Sequence, residues 1–278
     1  GGDGTADELL AWPGEGAGRR ALLERLRRWR ADLGLVLPPS FSSAWQVWRA
    51  GARRRVGYRG EARCALLTRA LPRPARGERH LAEEYLALGA EAGVEQLLRA
   101  APPLQVARGG EWQGREALLG PGAIYGPAKR WPAGRFAEVG RALVARGLAV
   151  RVVGSDAERQ VCEEVAAGIG DGAASLAGAT DLARLAGLAA GAALAVCNDS
   201  GLAHVCASAG APTVVVFGST SSAWTAPLGP RVRVVQRAPA CSPCCRRECR
   251  IGYGCLEAVA VGDVLAACEG LLEGRGAA

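Results

Sequence analysis

The chain has 278 residues, 49% hydrophobic and 22% charged, a composition that suits a globular protein with room for two buried cores. No apolar run approaches the roughly 18 residues of a membrane-spanning helix, and no charged-then-apolar leader points to secretion, so a cytoplasmic location is expected. A net charge of +7 suits an anionic partner, while aromatics at 5% and the lack of nucleic-acid-binding motifs argue against nucleic acid and for a nucleotide, a phosphorylated glycolipid or a membrane surface.

In chain order, Ala6 to Leu10 reads as a short strand. Arg19 to Trp29 carries Leu22, Leu23 and Leu26 at helical spacing beneath a basic outer face. Leu33 to Leu37 is an apolar run stopped by Pro38-Pro39, a buried strand feeding a loop. Ser43 to Ala50 and residues 79–99 read as helices, and the Pro, Gly and Arg of 101–110 as a linker. This places a boundary between an N-terminal domain, 1–105, and a C-terminal domain, 106–278. Beyond it the pattern is a cleaner alternation. Helices are expected at 133–146, 156–167, 182–190, 202–209 and 261–272, and strands at 149–153, 193–197, 213–217 and, as an edge, 231–235. Apolar strands between helices imply an α/β fold with a parallel sheet covered on both faces.

Such sheets bind ligands at the carboxyl ends of their strands, which directs attention to the loops after residues 119, 153, 197 and 217. The first contains Lys129 and Arg130 just before a helix opened by Pro132. A cation at a positive helix end calls for an anion between them, and a diphosphate fits. Of the 34 basic residues, 33 are Arg, so Lys129 is the chain's only lysine, in a composition whose Ala, Gly and Arg bias a GC-rich gene explains. The second loop, Gly154-Ser-Asp-Ala-Glu158, offers an ordinary N-cap, with Glu158 as an acceptor for a ribose diol. In the third, Asn198-Asp199-Ser200-Gly201-Leu202-Ala203-His204, polar caps are followed one helical turn later by one of two histidines. The fourth, Gly218-Ser219-Thr220-Ser221, has the composition of a phosphate-holding turn and equally of a common loop.

These motifs in this order resemble the ADP-heptose:lipopolysaccharide heptosyltransferases, glycosyltransferase family 9. The resemblance rests on Gly126-Pro-Ala-Lys129-Arg130-Trp131-Pro132, Asn198-Asp199-Ser200-Gly201-Leu202-x-His204 and Phe217-Gly-Ser219-Thr220-Ser221. Leu37-Pro-x-Ser40-Phe41, Arg55-x-Gly57-Tyr58-Arg59-Gly60-Glu61-x-Arg63 and His80-x-x-x-x-Tyr85 extend it into the N-terminal part. It implies a GT-B fold of two Rossmann-like domains with parallel sheets. It implies an inverting, metal-independent transferase that needs no cofactor, takes ADP-heptose as donor and lipopolysaccharide inner core as acceptor, and touches the inner membrane peripherally. By resemblance Lys129 stabilises the leaving diphosphate, beside Arg130. Asp199, Ser200, Gly201, Leu202 and His204 form the donor loop, supported by Ser219 and Thr220; Ser40, Arg59 and Arg63 face the acceptor. Pro39 and Ser42 stand where the family pattern has Asn and Lys. The family's general base, an Asp in a Gly-Asp pair after the first strand, is not matched by Gly2-Asp3. With no Met, even at position 1, the chain reads as a fragment or processed product with a truncated N-terminal domain and poor turnover. Alternatives are a GT-B transferase for another nucleotide sugar and a non-catalytic nucleotide-sugar-binding protein.

Of ten cysteines, five lie between positions 241 and 255. Cys241, Cys244, Cys249 and Cys255 are read either as a structural loop of free thiols or disulfides, or as a zinc or iron–sulfur site.

Overall fold

The computed structural model describes residues 8, 10–13, 16–93 and 114–273. The strand expected at 6–10 falls largely outside these residues, as do the linker stretch and the end of the helix expected at 79–99. The chain divides into two compact units, 1–101 and 102–278.

The first unit opens with α1 (Ala17–Trp29) and β1 (Leu33–Val36), followed by α2 (Phe41–Arg49) and β2 (Arg54–Tyr58). A 3-10 turn (Arg63–Leu66), β3 (Arg69–Leu71) and α3 (Leu81–Glu91) complete it. The strands form a parallel sheet in the order β1-β2-β3. Helix α2 starts two residues earlier than its apolar pattern suggests. Ser40 is the cap, its Oγ accepting from the Ser43 N–H at 3.2 Å. Val56, Tyr58, Leu88 and Ala92 pack as one buried cluster, and Val36, Ala44 and Leu67 as another.

The second unit contains β4 (Glu116–Gly120), α4 (Ala133–Ala145), β5 (Ala149–Val152), α5 (Arg159–Ile169), β6 (Ala173–Ser175), α6 (Leu182–Gly191) and β7 (Leu194–Asn198). Then come α7 (Gly201–Ser208), β8 (Thr213–Phe217), α8 (Ser222–Thr225), β9 (Val232–Gln236), α9 (Gly254–Glu257) and α10 (Val261–Glu273). The sheet runs β6-β5-β4-β7-β8-β9, every pair parallel, with β9 at an edge. Alternation along each strand sorts the side chains between two layers. Ala117, Leu119, Val214 and Val216 join α4, α5 and α10, while Leu118, Val215 and Phe217 join Ala189 of α6 and Cys206 of α7. Each fully buried Val or Leu is worth about 1.5–3 kcal/mol, so this double layer dominates the unit's stability.

The strand order reverses between β4 and β7. Chain that continues from β4 goes outward to β5 and β6, and chain that continues from β7 goes the other way. Loops leaving two neighbouring strands in opposite directions open a crevice at their carboxyl ends.

Candidate active site

That crevice holds a cavity of about 620 Å³. Its walls come from the loops after β4, β5 and β7 and from α6 and α7, all in the second unit. Sequence reasoning picked these three loops and a fourth, after β8, whose residues 218–222 are not on the wall.

The loop after β4 is pinned at both ends by side chains from other elements. Asn198, buried at the end of β7, accepts from the Trp131 N–H at 3.0 Å and donates to the Pro121 carbonyl at 2.7 Å. The buried Trp131 ring donates its Nε1–H to Val259 at 3.0 Å. The loop can therefore bring Lys129, on a 3-10 turn (Pro127–Lys129), to a fixed place.

Lys129 Nζ lies 2.5 Å from Asp199 Oδ2, with side chains 13% and 3% exposed. Thr220 Oγ1 donates to the same oxygen at 2.5 Å, and the ammonium stands 4.8 Å from the Tyr125 ring centroid. One anionic partner of Lys129 is thus supplied by the chain itself. An ammonium has three N–H donors and one is used here. A buried pair of this kind resists loss of either partner, because the survivor is left charged and desolvated, at about 3–5 kcal/mol.

The other assigned donor-side residues separate into two groups. Glu158, Ser200, Gly201, Leu202 and His204 line the cavity with Lys129 and Asp199. Glu158 also caps its own turn, accepting from Ser155 N–H at 2.9 Å and Ser155 Oγ at 2.7 Å. Ser200 precedes α7, and its buried Oγ has no hydrogen-bond partner among the described residues. Arg130, Ser219 and Thr220 are not on the cavity wall. Arg130 is exposed and donates to the Ala123 carbonyl. Ser219 turns away to the Arg246 carbonyl at 3.1 Å, and Thr220 acts through Asp199. Tyr125 and Asn198 were missed as site residues. An aromatic four positions before the only lysine, and an amide at a strand end, were the available signals.

In the first unit Ser40 is spent on capping α2. Arg59 is exposed, its Nε donating to the Ala70 carbonyl at 3.0 Å. Arg63 is 1% exposed and donates to the Tyr58 carbonyl at 2.6 Å and the Arg59 carbonyl at 3.3 Å. Burial depresses its pKa, since desolvation disfavours the charged guanidinium.

All ten cysteines are free thiols, and Cys241, Cys244, Cys249 and Cys255 line a second, smaller cavity. Among the described residues no helix is long and apolar enough to cross a membrane.

A doubly wound sheet with a lysine–carboxylate pair and a helix N-terminus at its switch point defines an open α/β protein with a ligand crevice at the carboxyl ends of its strands. Residues 19–253 match the model of glycosyltransferase family 9 (heptosyltransferase). The chain is 35% identical over 241 residues to lipopolysaccharide heptosyltransferase 2 of Salmonella typhimurium, covering 78% of this chain and 68% of that protein. The enzyme of the same name from Escherichia coli is 33% identical over 238 residues. The structure of E. coli ADP-heptose LPS heptosyltransferase II superposes with a TM-score of 0.77 at 30% identity, covering 93% of this chain and 81% of that one. A family 9 glycosyl transferase from Veillonella parvula has the same fold, at a TM-score of 0.77 and 22% identity. The chain therefore belongs to glycosyltransferase family 9, the heptosyltransferases, and its class is the GT-B fold expected of them.

Proposed function

We propose that the enzyme transfers L-glycero-D-manno-heptose from ADP-heptose to a lipopolysaccharide inner-core acceptor, with inversion and without a catalytic metal, on the cytoplasmic face of the inner membrane. The observation that carries this reading is the Lys129 ammonium, held by Asp199 at 2.5 Å on the wall of a 620 Å³ cavity at the switch point.

Breaking the bond between the anomeric carbon and the diphosphate leaves negative charge on the departing oxygens. A fixed, mostly desolvated cation stabilises that charge without having to reorganise. Two N–H donors of Lys129 remain for diphosphate oxygens once Asp199 has taken one. The Ser200 hydroxyl supplies another polar contact: left without a partner it costs about 1–3 kcal/mol, which a ligand oxygen recovers. The α7 N-terminus beside it favours the same anion. Glu158 and His204 are assigned to the ribose and sugar hydroxyls. Asp199, with one oxygen taken by Lys129 and Thr220, is a positioning residue for the ammonium as well as a wall of the sugar pocket. Arg59 remains the exposed cation for an acidic acceptor, and Ser40 and Arg63 are assigned to shaping that surface.

The test is binding of ADP and of ADP-heptose by calorimetry, with a transfer assay on heptose-deficient core oligosaccharide. Lys129→Ala should lower the transfer rate by about 10²–10³-fold, the usual loss on removing one group that stabilises developing charge. Equal binding of UDP- or GDP-sugars, or wild-type transfer by Lys129→Ala, would defeat the assignment.

A further inference from the structure

The cysteine-rich loop after β9 has no part in that reading. Cys241, Cys244, Cys249 and Cys255 line one cavity of about 140 Å³, whose other walls include Ala128, Ser219, Ile251 and Tyr253. None is in a disulfide. Free thiols gathered around a void are the ligand set of a soft metal ion.

Two turns deliver them. Cys241-Ser-Pro-Cys244 is a Cys-x-x-Cys turn followed by Cys245 in the left-handed region, φ 53°. Left-handed turns at Gly252 (φ 95°) and Tyr253 (φ 50°) separate Cys249 from Cys255, and both cysteines line the same cavity. The charge balances as well. Four thiolates on a divalent ion carry −2, and residues 241–255 contribute Arg246, Arg247 and Arg250 against Glu248, a net +2.

As the structure stands, no group of three or more His, Cys, Asp or Glu among the described residues is arranged to hold a metal ion. Zinc–sulfur bonds of about 2.3 Å require the two turns to close inward, so binding is coupled to local folding.

The loop is also sewn to the neighbours of the Lys129 pair. Ala128 N–H donates to Arg247 O at 3.1 Å and Cys245 N–H to Ser219 O at 2.8 Å. Tyr125 OH donates to Cys245 O and Arg247 Nε to Tyr125 O, each at 2.6 Å. A Cβ on Gly126 would stand 2.5 Å from Arg247 O, so the contact leaves no slack.

We propose that Cys241, Cys244, Cys249 and Cys255 bind one thiophilic divalent ion, zinc or ferrous iron, and that this ion braces the loop carrying Lys129. Each thiol passes its proton to solvent as its metal bond forms; no electron moves. Only the importance of the brace for catalysis rests on the proposed function; the metal site does not.

The experiment is elemental analysis of the full chain purified without chelator, followed by Co²⁺ titration of the apoprotein. One ion per chain is expected, with the intense ligand-field and thiolate charge-transfer absorption of tetrahedral Co²⁺, displaced by Zn²⁺. Cys244→Ser and Cys249→Ser should weaken that spectrum, and Cys64→Ser, at an exposed thiol in the first unit, should not. A chain that neither carries nor takes up stoichiometric metal, or whose native thiols prove to be paired as disulfides, overturns the site. So does a Co²⁺ spectrum unaltered in Cys249→Ser. Loading should also slow amide exchange across residues 122–130; unchanged exchange with stoichiometric metal overturns the brace. ADP binding in parallel reports on the donor site separately.

Discussion

Asp199 is the residue on which the site turns, because Lys129 and Thr220 both bond to its Oδ2. Thr220→Val keeps the shape and removes one donor to a buried carboxylate. Hydrogen bonds to charged groups are worth about 1.5–3 kcal/mol, so chemical denaturation should show a loss of that size. ADP affinity should fall as well, since the carboxylate that positions the ammonium is then held from one side fewer; a variant as stable and as tight as wild type would show that Thr220 only fills space. The buried thiols give a second, pH-linked prediction. Burial pushes Cys162 and Cys268 up to about 12. Their raised folded-state values mean the contribution to stability is intact below the ordinary thiol range near 9 and is lost as pH climbs toward 12. Native alkylation at about pH 8 should therefore label Cys64 and spare both, read by peptide mass spectrometry.

Among the elements, the structure leaves least room where β4 meets α7. A Cβ on Gly120 would collide with the Leu202 side chain, whose helix forms the other side of the crevice. Gly120→Ala should cost about 1–3 kcal/mol by overpacking and shift α7 relative to β4. Donor affinity should fall more than stability alone explains, and Gly120→Ala with Leu202→Ala should recover part of it. The same crowding shows which features could be read in advance. Strands β7 and β8 are apolar apart from Asn198 at the end of one and Thr213 at the start of the other, and their burial on both faces made them visible. In β2, Arg-Arg-Val-Gly-Tyr, the pattern is obscured: Arg55 lies in the strand yet donates to Leu66 O at 2.7 Å and Ala52 O at 2.6 Å. Strands β3 and β6 have three residues each, too few for any periodicity, and exist through backbone pairing. At the site, the loops and Lys129 were legible because parallel sheets put chemistry at strand ends. That Asp199 meets Lys129 directly, that Thr220 backs it and that Arg63 is buried were not, since each depends on contacts between residues far apart in sequence.

For the molecule as a whole, the division at 101/102 separates two compact units, to which the proposed function gives different tasks. Every residue on the wall of the 620 Å³ cavity belongs to the second unit, from Gly122 to Thr225. So do both buried layers of its sheet, which draw on residues 117–271. A unit with its own six-stranded sheet and its own core should fold by itself. On the proposed function, the donor's adenosine diphosphate needs only that unit, whereas transfer needs the acceptor-side residues of the first. Residues 114–273 alone should then show a cooperative thermal transition and bind ADP within about threefold of the full chain, a difference of less than 1 kcal/mol. They should transfer no heptose. If the isolated unit folds but binds ADP tens of times more weakly, the first unit contributes directly to the nucleotide site, and the cavity described here is only part of it.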